Sequence, residues 1–447
     1  MSTRIIKNAT LVNEGRTFKG NVLIKDDIIS AVGDLSSINI PENAEEIDAT
    51  GLILIPGVID DQVHFREPGL TQKGDIFSES RAAVAGGITS YMEMPNTVPQ
   101  TISNSLLSQK SDLASQKSFA NYSFYLGATN NNLDEIINAN PSEVCGVKLF
   151  MGSSTGNMLV DNENSLRNLF AGAGIPVVCH CESEPLIKRN SEFFRNKYGE
   201  DIPVQMHPMI RSREACFASS SYAVSLAREY NTQLHILHLS TADEMKLFSN
   251  DQPLNRKRIT GEVCIHHLWF DDSSYDEKGN LIKWNPAIKT RFDREALIKA
   301  VASDVVDIVA TDHAPHTLEE KKNTYFRAPS GGPLVQHSLV AMLELWHNKV
   351  FTIEKIVEKM CHNPAILFKI KGRGYIREGY KADLCLIDPH KSWTVSKENI
   401  LYKCGWSPFE GTTFRSKVVK TIVNGNVIYD NGIINDNYRG ERLLFER

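Results

Sequence analysis

Four separate stretches of this chain place a potential metal ligand at the end of an apolar run. His64 follows DDQV, His180 ends IPVVCH, His238 ends LHILH and Asp312 ends DIVATD, with His313 and His316 close behind in ATDHAPH. One histidine after an apolar run is ordinarily structural. Four such ends bearing imidazole or carboxylate point to a metal site. This donor set suits Zn2+, one or two ions per chain, and a coordination position left open admits water. Water on such a metal has a pKa of about 7. Hydroxide is then available at neutral pH, and an amide carbonyl can be attacked without a covalent enzyme intermediate.

Lys148, in GVKLFMGSSTGN, ends a fifth run. An ammonium beside a divalent cation is repelled, and burial also disfavours its charge. On spacing alone, a lysine paired with an acidic side chain at the mouth of the fold is the simpler account. If the amine instead takes up CO2 as a carbamate, the sign inverts. The group becomes a bidentate anion able to bridge two metals.

Positioning these residues requires a scaffold whose strand ends share one face. The middle of the chain supplies short apolar runs at 52–60, 88–95, 122–129, 145–151, 175–182, 234–241, 259–268 and 307–315. Between them lie stretches of helical period such as DIFSESRAAVAGG, where Gly86-Gly87 suits a C-terminal cap. Eight such units predict an α/β fold, a (β/α)8 barrel, over 52–370. The candidate ligands then fall at the C-terminal ends of barrel strands, where such barrels carry their chemistry. Residues 1–51 and 371–447 alternate apolar and polar, with a hairpin signal at Asn424-Gly425. They predict one small β-sandwich domain formed from both termini.

The 447 residues carry a formal charge of -5, which argues against a nucleic-acid binder. No apolar run is long enough to cross a bilayer, and the first residues lack a signal-peptide pattern, so a cytoplasmic protein is expected. The eight cysteines show no CxxC spacing, and several sit in apolar runs, which fits buried free thiols in a reducing compartment.

Taken together, DDQVHFREPG, MEMPNT, VKLFMGSSTGN, HCESE, HLSTADE, ATDHAPHTLEEK and CGWSPFEG resemble the cyclic amidohydrolases, specifically dihydroorotases, over about residues 50–430. Allantoinases and hydantoinases share part of this set. The resemblance implies a zinc-dependent hydrolase that interconverts N-carbamoyl-L-aspartate and L-dihydroorotate in pyrimidine biosynthesis, working as a homodimer on a small molecule. It implies metal ligation by His64, carboxylated Lys148, His180, His238 and Asp312, with Asp312 also the general acid and base. Arg66 and Asn96 match positions that hold the substrate carboxylate; Asn285 matches a ring contact and His316 a further substrate contact. The chain departs from the family in two places. Gln62 stands where the family has the first imidazole of His-x-His, and an amide is the poorer zinc ligand. Lys289 stands where many relatives have Arg. Two other readings stay open: an allantoinase or hydantoinase, and an inactive relative serving as an assembly partner, for which Gln62 is the motive. The Gly- and Pro-rich stretch 328–337 is either a flap over the site or an ordinary loop.

Overall fold

Gly57 divides the first apolar run into two strands, Ile53–Pro56 and Val58–Val63, that belong to different sheets. A Cβ there would lie 2.0 Å from Thr89 Oγ1, so only glycine lets the chain pass from one sheet into the other. This is a computed structural model, and it describes residues 2–152 and 158–447; the SSTGN part of the Lys148 motif lies outside the described residues.

Ile53–Pro56 runs parallel to Thr3–Asn13 and antiparallel to Leu384–Asp388, so it is the strand on which the two ends of the chain meet. Nine strands form this sheet, from Ile433–Ile434 at one edge to Ile28–Gly33 at the other. Val22 and Ile24 near one edge share a core with Val419 and Ile422 near the other, so the sheet folds over into a sandwich. Asn424 and Gly425 adopt φ values of 47° and 75° in the two-residue turn between Lys417–Val423 and Asn426–Asp430. That is the backbone a tight hairpin turn requires.

Eight parallel strand positions follow: Val58–Val63, Ile88–Glu93, Asn121–Phe124 with Leu126–Gly127, Val147–Phe150, Val177–His180, Leu234–Ile236, Ile259–Cys264 and Ile308–Ala310. A parallel bridge between Val63 and His313 closes the ring, and His64 N–H donates to His313 O at 2.7 Å. The fold is a (β/α)8 barrel with a β-sandwich. Helix Ile76–Ala85 shows how local sequence builds it. Asp75 accepts from Ser78 N–H at 2.7 Å as a cap, and Gly87, not Gly86, takes the left-handed conformation. A Cβ at Gly87 would sit 2.8 Å from Cys385 Sγ, which sets how closely this helix end approaches the sandwich.

Barrel and sandwich are tied together by a buried polar network. The Arg373 guanidinium donates to Asp383 and to Asn424, while Asn121 at the start of a barrel strand donates to Asp383 at 3.1 Å. The chain's last residues return to the barrel: Leu443 and Phe445 pack with Val178, Ile308 and Phe368, and Arg447 donates to Val144 O and Cys145 O. They form the apolar floor beneath the strand ends. No helix among the described residues is long and apolar enough to cross a membrane. All eight cysteines are free, and seven are buried.

The stretch 328–337 is packed against the barrel mouth. Residues 331–337 are buried, Ala314 N–H donates to Gly332 O, and Leu334 N–H donates to His313 Nδ1. The buried Lys321 ammonium spends its three donors on Lys283 O, Pro329 O and Gly331 O at 3.3, 2.9 and 2.7 Å. Three carbonyls held on one desolvated cation fix the loop's course past the barrel mouth.

Candidate active site

The strand ends converge on a small cavity. Eight of the nine residues singled out in the sequence line it: His64, Arg66, Asn96, Lys148, His180, His238, Asn285 and Asp312. His316 does not. It stands behind Arg66, with its Nε2 3.1 Å from Arg66 Nη2 and its Nδ1 3.1 Å from Lys73 Nζ. Lys289 is also away from the cavity, and its ammonium donates to Ala287 O at 3.0 Å.

The candidate ligands form two pairs. His64 Nε2 lies 3.3 Å from Asp312 Oδ1, and His180 Nδ1 lies 3.0 Å from His238 Nε2. Atoms bonded to one metal at about 2.0–2.2 Å stand about 3.0–3.5 Å apart, so both pairs have the spacing of neighbours in a coordination shell. His238 Nδ1 is buried with no hydrogen-bond partner, so that half of the cavity holds a ring nitrogen the protein itself leaves unused, while His180 Nε2 faces Glu182 Oε2 at 3.2 Å. These residues fit a divalent metal.

The electrostatics agree. Burial, chiefly, lowers the pKa values of His64, His180 and His238, favouring the neutral imidazole that ligates. Burial pushes Asp312 up to about 7 against the opposing pull of Lys148. Burial brings Lys148 down to about 8, and its charge is felt by all four ligands of the two pairs. Among the described residues no carboxylate pairs with this ammonium; it rests 4.6 Å from the centre of the Phe150 ring. The salt-bridged alternative therefore has no support in the geometry.

Three of the lining residues have left-handed backbones: Arg66 at φ 72°, His238 at 40° and Asp312 at 49°. Such conformations cost about 1–3 kcal/mol each for residues with a Cβ. The barrel ladder and loop contacts hold them, and they turn side chains inward just past the strands.

Gln62 occupies the space of the missing imidazole. Its amide donates to Asp312 Oδ1 at 3.1 Å, and its Oε1 accepts from the Cys264 thiol at 3.5 Å. The amide is thus committed to orienting Asp312 and does not offer a lone pair to a metal. Replacing Gln62 with His is expected to tighten zinc at the His64–Asp312 pair about ten-fold or more, read by calorimetric titration of the metal-free protein. An unchanged affinity would show that Gln62 does not set this site.

Several contributors escaped the sequence reading. Glu182 receives Arg211 and stands 3.2 Å from His180 Nε2; its HCESE motif was visible, but nothing in it marked this partner. Lys73 and Glu320 pair at 2.8 Å behind His316, joining residues far apart in sequence. Trp284 lines the cavity beside Asn285 and stacks on His266 with ring centres 4.5 Å apart.

Comparison with known proteins agrees with this geometry. The amidohydrolase family model matches residues 53–428. A dihydroorotase of Pyrococcus abyssi is 32% identical over 97% of this chain and 96% of its own. An allantoinase of Solibacter usitatus is 30% identical over 99% of this chain and 97% of its own. The L-hydantoinase structure from Arthrobacter aurescens superposes with a TM-score of 0.91 at 25% identity, over 97% of this chain and 98% of that one. The match of that model across most of the sequence, on a chain that forms a closed barrel, places this chain in the amidohydrolase family.

Proposed function

We propose that this protein is a dihydroorotase, interconverting L-dihydroorotate and water with N-carbamoyl-L-aspartate. The observation that carries the reading is Arg66. Its guanidinium is buried; Nε donates to Pro315 O at 3.1 Å, Nη2 meets His316, and Nη1 is left with no hydrogen-bond partner at a cavity wall. A desolvated cation with a spare donor is matched by a substrate carboxylate. Asn285 Oδ1, also buried and unpartnered, is placed to accept a ring N–H.

A divalent metal, held by His64 and Asp312, by His180 and His238 and by a carbamate on Lys148, would supply Lewis acidity at the amide carbonyl and acidify water. The lowered pKa of Lys148 raises its uncharged fraction, which is the form that adds to CO2 and releases a proton. In ring opening, Asp312 takes a proton from the attacking water and returns it to the departing ring nitrogen, acting as base and then acid. Ring closure runs the same transfers backwards. Gln62 holds Oδ1 of that carboxylate in place throughout.

The allantoinase and L-hydantoinase likenesses favour a second reading, a cyclic amide without a carboxylate. Side-by-side turnover decides. L-dihydroorotate is expected to exceed allantoin and hydantoin by at least about 100-fold in kcat/KM, with zinc and bicarbonate present. Equal or faster opening of either neutral ring would reject the dihydroorotase reading.

A further inference from the structure

One layer below the cavity, three ionisable side chains from three barrel strands meet in the interior: Asp61, His235 and Glu262. None has any exposed side-chain surface. His235 Nε2 lies 3.2 Å from Glu262 Oε2 and 3.5 Å from Asp61 Oδ2, and one donor atom of each residue lies within 4.8 Å of the others. Both carboxylate oxygens of Asp61 are buried without a hydrogen-bond partner.

The protonation of His235 can be read from its neighbours. The Thr260 hydroxyl donates to Leu234 O at 3.2 Å, so its oxygen accepts the proton on His235 Nδ1, 2.9 Å away. Nε2 therefore faces the Glu262 and Asp61 carboxyl groups, and no Lys or Arg among the described residues pairs with either. A divalent cation satisfies all three groups at once. The 3.2 and 3.5 Å spacings suit bonds of about 2.0–2.2 Å, and a histidine whose other nitrogen donates to a fixed oxygen is the usual arrangement of a ligand.

We propose that Asp61, His235 and Glu262 form a second metal site, separate from the cavity above, that takes a divalent cation of the zinc class. One nitrogen and two carboxylates suit zinc or manganese. The cation would staple the strands Val58–Val63, Leu234–Ile236 and Ile259–Cys264 directly beneath the catalytic layer. Glu262 would transmit its position upward, since its Oε1 accepts from His238 N–H at 3.4 Å. Asp61 also precedes Gln62, so the first barrel strand offers a carboxylate to this lower layer where it lacks an imidazole in the upper one.

The test is anomalous scattering at the zinc edge from crystals of the full chain grown with zinc. The proposal expects a peak enclosed by Asp61, His235 and Glu262. Metal analysis adds a second readout. A His64→Ala/His180→Ala double variant should retain about one zinc per chain, and adding Asp61→Asn should remove it. Anomalous density confined to the cavity above would overturn this site and leave the proposed reaction standing. Zinc content unaltered by Asp61→Asn would overturn it as well. Should the Asp61 variant fail to fold, the map of the unaltered chain decides alone.

Discussion

Replacing Asp312 with Asn is expected to lower kcat for L-dihydroorotate by at least about 1,000-fold with the fold intact. Positioned acid–base groups contribute about 10^2–10^4 in rate. Asp312 additionally supplies one oxygen of the His64–Asp312 pair, so the loss belongs at the upper end of that range. Asparagine is the right probe for three reasons. It keeps the volume of a residue buried against Gln62 and His64. It tolerates the left-handed backbone at φ 49° better than most side chains, so it adds little strain. And it removes both the negative charge and the basic oxygen, the two properties the mechanism needs. Circular dichroism and a thermal melt close to those of the unaltered protein would show that the fold survives. A variant keeping more than about a tenth of the activity would take Asp312 out of the proton path.

The scaffold was more legible in the sequence than the partnerships within the site. Period-two and period-3.6 patterns are local, and the runs ending at Lys148, His180 and His238 each contain a barrel strand. Asn424-Gly425 likewise announced its hairpin because a tight turn selects those two residues. The misplacements have a common cause. The run 52–60 read as one strand because Gly57 is punctuated only by what lies against it, the Thr89 side chain from the next strand. Residues 328–337 carried loop chemistry, but the lysine that fixes them, Lys321, lies outside that stretch, and its three carbonyl partners come together only in the fold. His316 sits on the right loop yet faces the back of Arg66, and no spacing rule distinguishes a side chain in a cavity from one just behind it. The resemblance supplied a list of residues at the site. The pairings among them, His64 with Asp312 and His180 with His238, required coordinates.

Arg66→Ala is expected to separate the candidate substrates more sharply than any other single change. Losing a charged hydrogen-bonding pair in a desolvated site costs about 2–5 kcal/mol, or roughly 30- to 5,000-fold. L-dihydroorotate should therefore lose about 100-fold or more in kcat/KM, while hydantoin and allantoin, which carry no carboxylate, should change by less than about ten-fold. Arg66→Lys makes the comparison finer. It keeps the charge but has neither the planar fork nor the Nε that donates to Pro315 O, so part of the loss should remain. A general disturbance of the site, from freeing His316 or the 315–316 backbone, would depress all three substrates together. Equal losses would therefore assign Arg66 to holding the loop. A loss confined to the carboxylate-bearing ring would assign its unpartnered Nη1 to substrate, and it would explain why a barrel places a guanidinium on a left-handed backbone at the wall of its catalytic cavity.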